Sequence, residues 1–346
     1  MDLNFIPTFT QDGSIGLFNP EVDDIYHSSY GAYTEAFEKF IYPSGLQDFI
    51  KTHSAVRILD ICYGMGYNTK AAIKTCLGVN LECSILIDSL EIDSNVFVFS
   101  FLSKQENFDF NILDYLDVQF LNNPKIIDSI YRILENDEFT DFLDTEISQI
   151  FILNKNEIYE CSLKDKISPS LHNIYYRYIS PRNIKINKAM PKSPKIAIAA
   201  HLEDARDALG KVEGNYDLIF LDAFTPKKLP TLWSVEFFLK LKELLKDGGN
   251  ITTYSNSAAV RNGMIEAGFF VEKTLKGTIA FKNENLIKNP LDEKSLGLLG
   301  TRAGIPFYDK NLNATREEIL QLREKMVSES HKQSSSSFLK NYTKNK

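Results

Sequence analysis

Four short runs carry the side chains best suited to chemistry, and they occur in a telling order. Arg57-Ile58-Leu59-Asp60-Ile61-Cys62-Tyr63-Gly64-Met65-Gly66-Tyr67-Asn68-Thr69 is an apolar stretch that ends in a glycine turn. Glu91 closes a second apolar stretch, Ser84 to Leu90. Glu203-Asp204-Ala205 follows a third, and Asp222-Ala223-Phe224-Thr225-Pro226 follows a fourth. Gly64 and Gly66 permit a close approach of backbone to ligand. A carboxylate placed like Glu91 accepts from both hydroxyls of a ribose. Asp204 suits an adenine amino group, and Asp60 a cofactor's amino group, directly or through water. Each acid also has a plain reading, Glu91 as a surface strand end and Asp204 as a helix cap.

These residues need a scaffold, and alternating strand and helix signals supply one. Strands are expected at Ala55–Tyr63, Ser84–Leu90, Lys195–His201, Tyr216–Leu221 and Asn250–Tyr254. Helices are expected at Tyr67–Cys76, Asn95–Phe101, Asp204–Leu209, Trp233–Leu245 and Ser257–Ala267, with Asp247-Gly248-Gly249 stopping the fourth. Phe269–Leu275 and Thr278–Lys282 read as a final antiparallel pair. This order implies an α/β, doubly wound, Rossmann-like sheet with its ligands at the carboxyl ends of the strands. Thr69 stands where a dinucleotide fingerprint has its third glycine, so a nucleoside without pyrophosphate is favoured. S-adenosyl-L-methionine is such a nucleoside. Its candidate contacts are Asp60, Gly64, Gly66, Asn68, Glu91, Asp204 and Ala205, with the substrate facing the methyl group at Asp222.

The expected segments are an N-terminal substrate-pocket segment (1–54), a core of 55–102 and 195–310, an insertion at 103–194, a C-terminal helix at 311–330 and a disordered tail at 331–346. Roughly a hundred residues between the second and third strands are too many for one crossover. The insertion is expected to be helical at first. The net charge of −7 argues on average against a polyanionic partner. The average hides a segregation: Gln105 to Ile150 is strongly acidic, with Lys125 and Arg132 its only bases. Leu171 to Lys195 has no acid, and its Arg177, Arg182, Lys185, Lys188, Lys192 and Lys195 lie among Tyr175, Tyr176 and Tyr178. Such interleaving can neutralise phosphates and stack on unpaired bases; a solvated loop facing the acidic segment is the alternative. Scattered cysteines fit a reducing cytosol, and neither they nor the isolated histidines have metal-ligand spacing, so no metal is expected. No secretory signal or membrane span is expected.

The chain resembles the methyltransferase part of the bifunctional tRNA-modifying enzyme MnmC and its stand-alone relatives. The resembling residues are Tyr26-His27-Ser28, Gly31-Ala32 and Glu35, the Gly64/Gly66 turn, Asp204-Ala205-Arg206, and Leu221-Asp222-Ala223-Phe224-Thr225-Pro226 with Pro230 and Trp233. Gly248-Gly249, Tyr254 to Arg261, Gly277-Thr278, Leu298 to Pro306 and Asn313 to Arg316 complete the set. The resemblance covers roughly residues 7–101 and 195–325, and leaves out the insertion. It implies a class I methyltransferase fold and a cytoplasmic enzyme that methylates the amine of 5-aminomethyluridine at wobble position 34, in the anticodon stem-loop of tRNA. It places Asp222, Phe224 and Pro226 at the reaction, and Tyr26, His27, Glu35, Arg261 and Arg302 against the substrate. Arg261 and Arg302 are candidates for a phosphate or a cofactor carboxylate, with surface salt bridges as their plain alternative. Methylation of another amine, or a cofactor- or RNA-binding scaffold without turnover, are the competing readings. No FAD-dependent oxidase domain is visible in the sequence.

Overall fold

The computed structural model describes residues 3–26, 30–116, 120, 123–156, 158 and 196–344. The basic stretch from Leu171 to Lys195 and His27 lie outside the described residues. The described elements begin with strands β1 (Ile6–Phe9), β2 (Ile15–Asn19) and β3 (Asp24–Ile25), which form a small antiparallel sheet with Ile6 opposite Phe18 and Phe18 opposite Ile25. Helix α1 (Ala32–Ala36) starts at Gly31, and α2 (Leu46–Thr52) leads into β4 (Ala55–Ile61). Helix α3 (Tyr67–Val79), β5 (Ser84–Glu91) and α4 (Ser94–Leu102) follow. The insertion contributes α5 (Pro124–Leu134) and α6 (Thr145–Leu153). The chain continues through β6 (Ile196–Leu202), α7 (Ala205–Ala208), β7 (Tyr216–Leu221), α8 (Val235–Leu244), β8 (Leu245–Thr253) and α9 (Ala258–Glu266). Strands β9 (Phe270–Lys273) and β10 (Thr278–Phe281) and helices α10 (Glu293–Leu299), α11 (Arg316–Glu329) and α12 (Ser335–Lys344) complete it.

The main sheet has seven strands in the order β6-β5-β4-β7-β8-β10-β9. β5 and β6 pair in parallel, Glu91 opposite Leu202, as do β4 with β7 and β7 with β8. β10 runs antiparallel to both β8 and β9, as the closing pair in the sequence implies. This is the α/β, doubly wound arrangement. The glycine turn follows β4, Glu91 ends β5, Asp204 follows β6 and Asp222 follows β7, so each stands at a carboxyl end. By contacts the chain forms two compact units, residues 1–37, 45–56 and 62–203 in one, and 38–44, 57–61 and 204–346 in the other.

In the first unit, α4 is apolar all round, and Val96 to Leu102 are buried. A helix of that kind needs cover on every side. The insertion supplies part of it: Phe101 meets Phe151 of α6 at 6.3 Å, and Phe99 meets Phe139 at 5.4 Å. α5 buries Ile126, Ile127, Ile130 and Ile133 and starts cleanly, with Asn123 capping the Lys125 amide and Pro124 in its first turn. The helical start expected for the insertion is therefore a structural cover for the core crossover.

In the second unit two expectations are corrected. Asp247-Gly248-Gly249 does not stop a helix ahead of a separate strand; β8 already begins at Leu245 and runs through it. The ladder shifts register between Tyr216 and Leu218, and a Cβ on Gly249 would lie 2.7 Å from the Asp217 carbonyl oxygen. The glycine serves close backbone approach rather than chain reversal. Residues 331–346 were expected as a disordered tail, yet α12 forms at Ser335–Lys344. Ser334 Oγ accepts from the Ser337 amide, and the Phe338 ring fills the space left by the missing side chain of Gly297. One aromatic in a matching notch outweighs a polar composition.

Candidate active site

The glycine turn is built by unusual backbone. Cys62, Gly64 and Gly66 have φ of 61°, 55° and 70°, so three of five residues lie in the left-handed region. A Cβ at Gly66 would stand 2.2 Å from Tyr63 Oη, which itself bonds Ser100 Oγ at 3.1 Å. Tyr63 thus makes Gly66 obligatory, and it carries no signal of that in its residue type. The Gly64 amide donates to Glu91 Oε2 at 2.9 Å, while Glu91 Oε1 accepts from the amides of Ile92 and Asp93 at 2.9 and 3.0 Å. Burial pushes the Glu91 carboxyl up to about 7 even though these amides pull it down. Oε2 retains acceptor capacity beyond the Gly64 amide.

Tyr26 joins this group. Its ring lies 3.3 Å from where a Gly64 Cβ would stand, and burial together with the nearby Glu91 charge raises its phenol. The structure therefore brings Tyr26, Gly64, Gly66 and Glu91 together. The N-terminal segment is held by Asp12, which accepts from Thr10, Ser14 and Thr34. A Cβ at Gly31 would overlap the Asp12 carboxylate at 2.0 Å. That explains glycine ahead of α1, the helix that carries half-buried Glu35. Asn68 is buried in the first turn of α3 and Asp60 is buried at the end of β4.

Asp204 adopts its plain role as well. It caps α7, accepting from the Arg206 amide at 2.8 Å, and pairs with the Arg206 guanidinium at 3.0 Å. Arg206 also reaches Asp309 Oδ2 at 3.0 Å and the Ala314 carbonyl at 2.8 Å. Burial raises the Asp204 carboxyl, but the Arg206 hydrogen bonds and charge win and hold it below its ordinary value. Ala205, the first residue of α7, is buried.

The turn after β7 is fixed from several sides. The Asp222 amide donates to the Ile61 carbonyl at 3.2 Å, and the Asp222 side chain is half-buried. Tyr254 Oη donates to the Ala223 carbonyl at 2.8 Å, and Trp233 Nε1 donates to the Phe224 carbonyl at 2.8 Å. The two rings meet edge to face, 6.2 Å apart, and Lys39 Nζ lies 5.7 Å from the Tyr254 ring centre. The Thr225 carbonyl accepts from the Lys228 and Leu229 amides, and Arg316 holds the Lys227 and Lys228 carbonyls. Phe224 and Pro226 remain half-buried on this rigid turn. The carbonyls of residues 223 to 225 serve the protein's own donors, and the Asp222 carboxylate is the charged acceptor at the start of the turn. Trp233 was legible as part of a motif; the braces from Tyr254 and Lys39 were not, because they come from distant parts of the chain.

The two arginines make hydrogen bonds within the protein. Arg261 is buried, and its guanidinium donates to Thr278 Oγ1, Asn256 Oδ1 and the Gly277 carbonyl. Burial lowers its pKa. It braces the loop after Tyr254 from inside. Arg302 donates to the Lys332 and Gln333 carbonyls and so anchors the segment before α12. Among the described residues no group of His, Cys, Asp and Glu could hold a metal ion, and no helix is long and apolar enough to cross a membrane.

Residues 166–285 match the S-adenosyl-L-methionine-dependent methyltransferase family. Fold and match together define the class: the chain is a Rossmann-like methyltransferase that uses S-adenosyl-L-methionine. In particular, its fold is similar to that of MnmC2. The crystal structure of MnmC2 from Aquifex aeolicus shares the fold, with a TM-score of 0.62 at 22% identity over 95% of this chain and 87% of that one. An uncharacterized protein of Methanocaldococcus jannaschii is 27% identical over 322 residues, covering 91% of this chain and 70% of its own length. The tRNA 5-methylaminomethyl-2-thiouridine biosynthesis bifunctional protein MnmC of Chromohalobacter salexigens is 32% identical over 82 residues. That alignment spans 24% of this chain and only 12% of the bifunctional protein. The glycine turn, with no room for a side chain at Gly66, and the free acceptor capacity of Glu91 fit the cofactor of this class.

Proposed function

We propose that this chain methylates the primary amine of 5-aminomethyluridine at the wobble position of tRNA, giving 5-methylaminomethyluridine, in the cytoplasm. The observation that carries the reading is the Asp222–Pro226 turn, locked by Trp233 and Tyr254 with an acidic side chain at its start. The similarity to a bifunctional tRNA 5-methylaminomethyl-2-thiouridine biosynthesis protein supports the acceptor. Gly64, Gly66, Asn68, Glu91, Asp60, Asp204 and Ala205 hold S-adenosyl-L-methionine in this reading, with Glu91 on the ribose hydroxyls. When bound, the cofactor supplies an electrophilic methyl group on a sulfonium.

The chain's own residues then have an alignment task, since displacement at that carbon requires an in-line approach and exclusion of water. Asp222 accepts one N–H of the amine, which aims the nitrogen lone pair. The new N–CH3 bond forms as the S–CH3 bond breaks, and the nitrogen loses a proton that Asp222 passes towards solvent. Phe224 stacks on the uracil, and Tyr26 and Glu35 line the uridine side. A carboxylate beside an amine also favours the ammonium form, which has no lone pair; the half-exposed position of Asp222 gives that proton an exit.

Methyl transfer from labelled S-adenosyl-L-methionine, offered in parallel to tRNA rich in 5-aminomethyluridine and to spermidine, tests the acceptor class. Label in tRNA alone is expected. Label in the polyamine with none in tRNA would replace the acceptor and leave the cofactor assignment standing.

A further inference from the structure

A cavity of about 300 Å³ opens in the first unit beside the amino end of α4. None of Gly64, Gly66, Glu91 or Tyr26 lines it. Its cationic wall is Lys125 and Arg132 of α5, the only two bases between Gln105 and Ile150. They are seven residues apart and so share one face of the helix. Ser129 lies between them on that face, and its Oγ meets Ser94 Oγ at 2.9 Å, which pins α5 against α4. Lys125 is exposed and forms no ion pair among the described residues; Arg132 makes one long hydrogen bond, 3.5 Å to Asn95 Oδ1. In a segment this acidic, two bases that form no ion pair among the described residues and line one cavity are a binding arrangement rather than a solvated face.

The other charges facing the cavity are few. Asp93 is engaged as the cap of α4, accepting from the Asn95 amide at 2.8 Å, and Asn4 carries Glu21 on its amide at 2.9 Å. Ser94 and Asn95 add polar groups, and Leu202 and Ile92, the latter 70% exposed, form the apolar part of the wall. A guanidinium fork and an ammonium suit phosphate oxygens. An exposed apolar side chain beside them suits a sugar or base ring, which inorganic phosphate lacks.

We propose that this cavity binds a backbone phosphate of the RNA substrate, with Ile92 and Leu202 against the attached nucleoside. The proposal rests on the tRNA reading above and makes the insertion part of the RNA surface. Phosphate contacts of this kind position the acceptor without reading its sequence.

The test compares wild type, Lys125→Gln and Lys125→Gln/Arg132→Gln for binding of tRNA across a salt series, with Lys325→Gln of α11 as an exposed control. Each lost phosphate contact removes about 0.7–0.9 from the log–log salt slope. The double variant, having lost the one phosphate contact, is expected to lose about 0.7–0.9 from that slope and to bind about tenfold or more weakly at low salt. Lys125→Gln, at an exposed position, is expected to show about half the slope change with unaltered folding, and S-adenosylhomocysteine affinity stays at the wild-type value. Unchanged tRNA affinity and slope in both variants, with the wild type binding, would overturn the site alone. Loss of S-adenosylhomocysteine binding without loss of tRNA binding would assign the cavity to the cofactor instead. Inorganic phosphate bound by wild type and lost in the variants, with tRNA binding intact, would make it a free-anion site. A wild type that binds no tRNA would remove the acceptor reading and this site together.

Discussion

At the scale of single residues, the proposed reaction gives two carboxylates separable duties. Asp222→Asn keeps an oxygen to accept the amine's N–H but cannot take up its proton. The expected result is a fall in kcat of about 10²–10⁴-fold with cofactor affinity unchanged, read by single-turnover kinetics and calorimetry. A variant with near wild-type kcat would reduce Asp222 to an orienting group. Glu91 is different because it is buried. Its folded pKa of about 7 lies above its ordinary 4.5. The unfolded chain therefore ionises first, and the stability associated with neutral Glu91 is lost as pH rises from 4.5 through 7. Ribose hydroxyls donate to the ionised form, so affinity for S-adenosylhomocysteine should rise between about pH 6 and 8 in the wild type. Glu91→Gln should bind more weakly and show a flat profile. A wild-type profile that is equally flat would place the ribose elsewhere.

Elements set where these side chains stand, and α3 shows how a fold can accept a local penalty. Lys70 lies in the first turn of this helix, fully buried, with Nζ donating to the Ser100 carbonyl at 2.9 Å and lying 5.2 Å from the Tyr67 ring centre. Burial brings its ammonium down to about 7, and a cation there also opposes the helix dipole. The unfolded chain holds this proton up to about pH 10.4. Wild-type stability therefore rises with pH above 7, and the Lys70 contribution is lost as pH falls through 7. Lys70→Met should raise stability by about 1–3 kcal/mol at pH 6 and less at pH 9, measured by denaturant unfolding. A variant destabilised at both pH values would mean that the hydrogen bond to Ser100 outweighs the buried charge.

Over the whole molecule, the sequence was most legible where one physical signal was local. Buried apolar runs locate four of the five parallel-type strands to within two residues, β8 being the exception, because strand burial and turn chemistry are neighbours in the chain. Glu91 and Gly64 were legible for the same reason, each at the end of such a run. What stayed hidden depends on partners far away in sequence. The Tyr254 and Trp233 bonds to the Asp222 turn, and the commitment of Arg261 to Thr278 and Gly277, need tertiary proximity that residue types do not encode. The early start of β8 hinges on Gly249 passing the Asp217 carbonyl, and α12 on Phe338 meeting Gly297. Arg302 illustrates the same limit: its bond to the Lys332 carbonyl is hidden until the segment it holds is seen.

The most direct measurement is nucleoside mass spectrometry on tRNA carrying 5-aminomethyluridine after incubation with purified protein and S-adenosyl-L-methionine. Conversion of that nucleoside to a species heavier by one methylene, identified as 5-methylaminomethyluridine at the wobble position, is the predicted result. Full recovery of unmodified 5-aminomethyluridine, from protein shown in the same sample to bind the cofactor, would contradict the account.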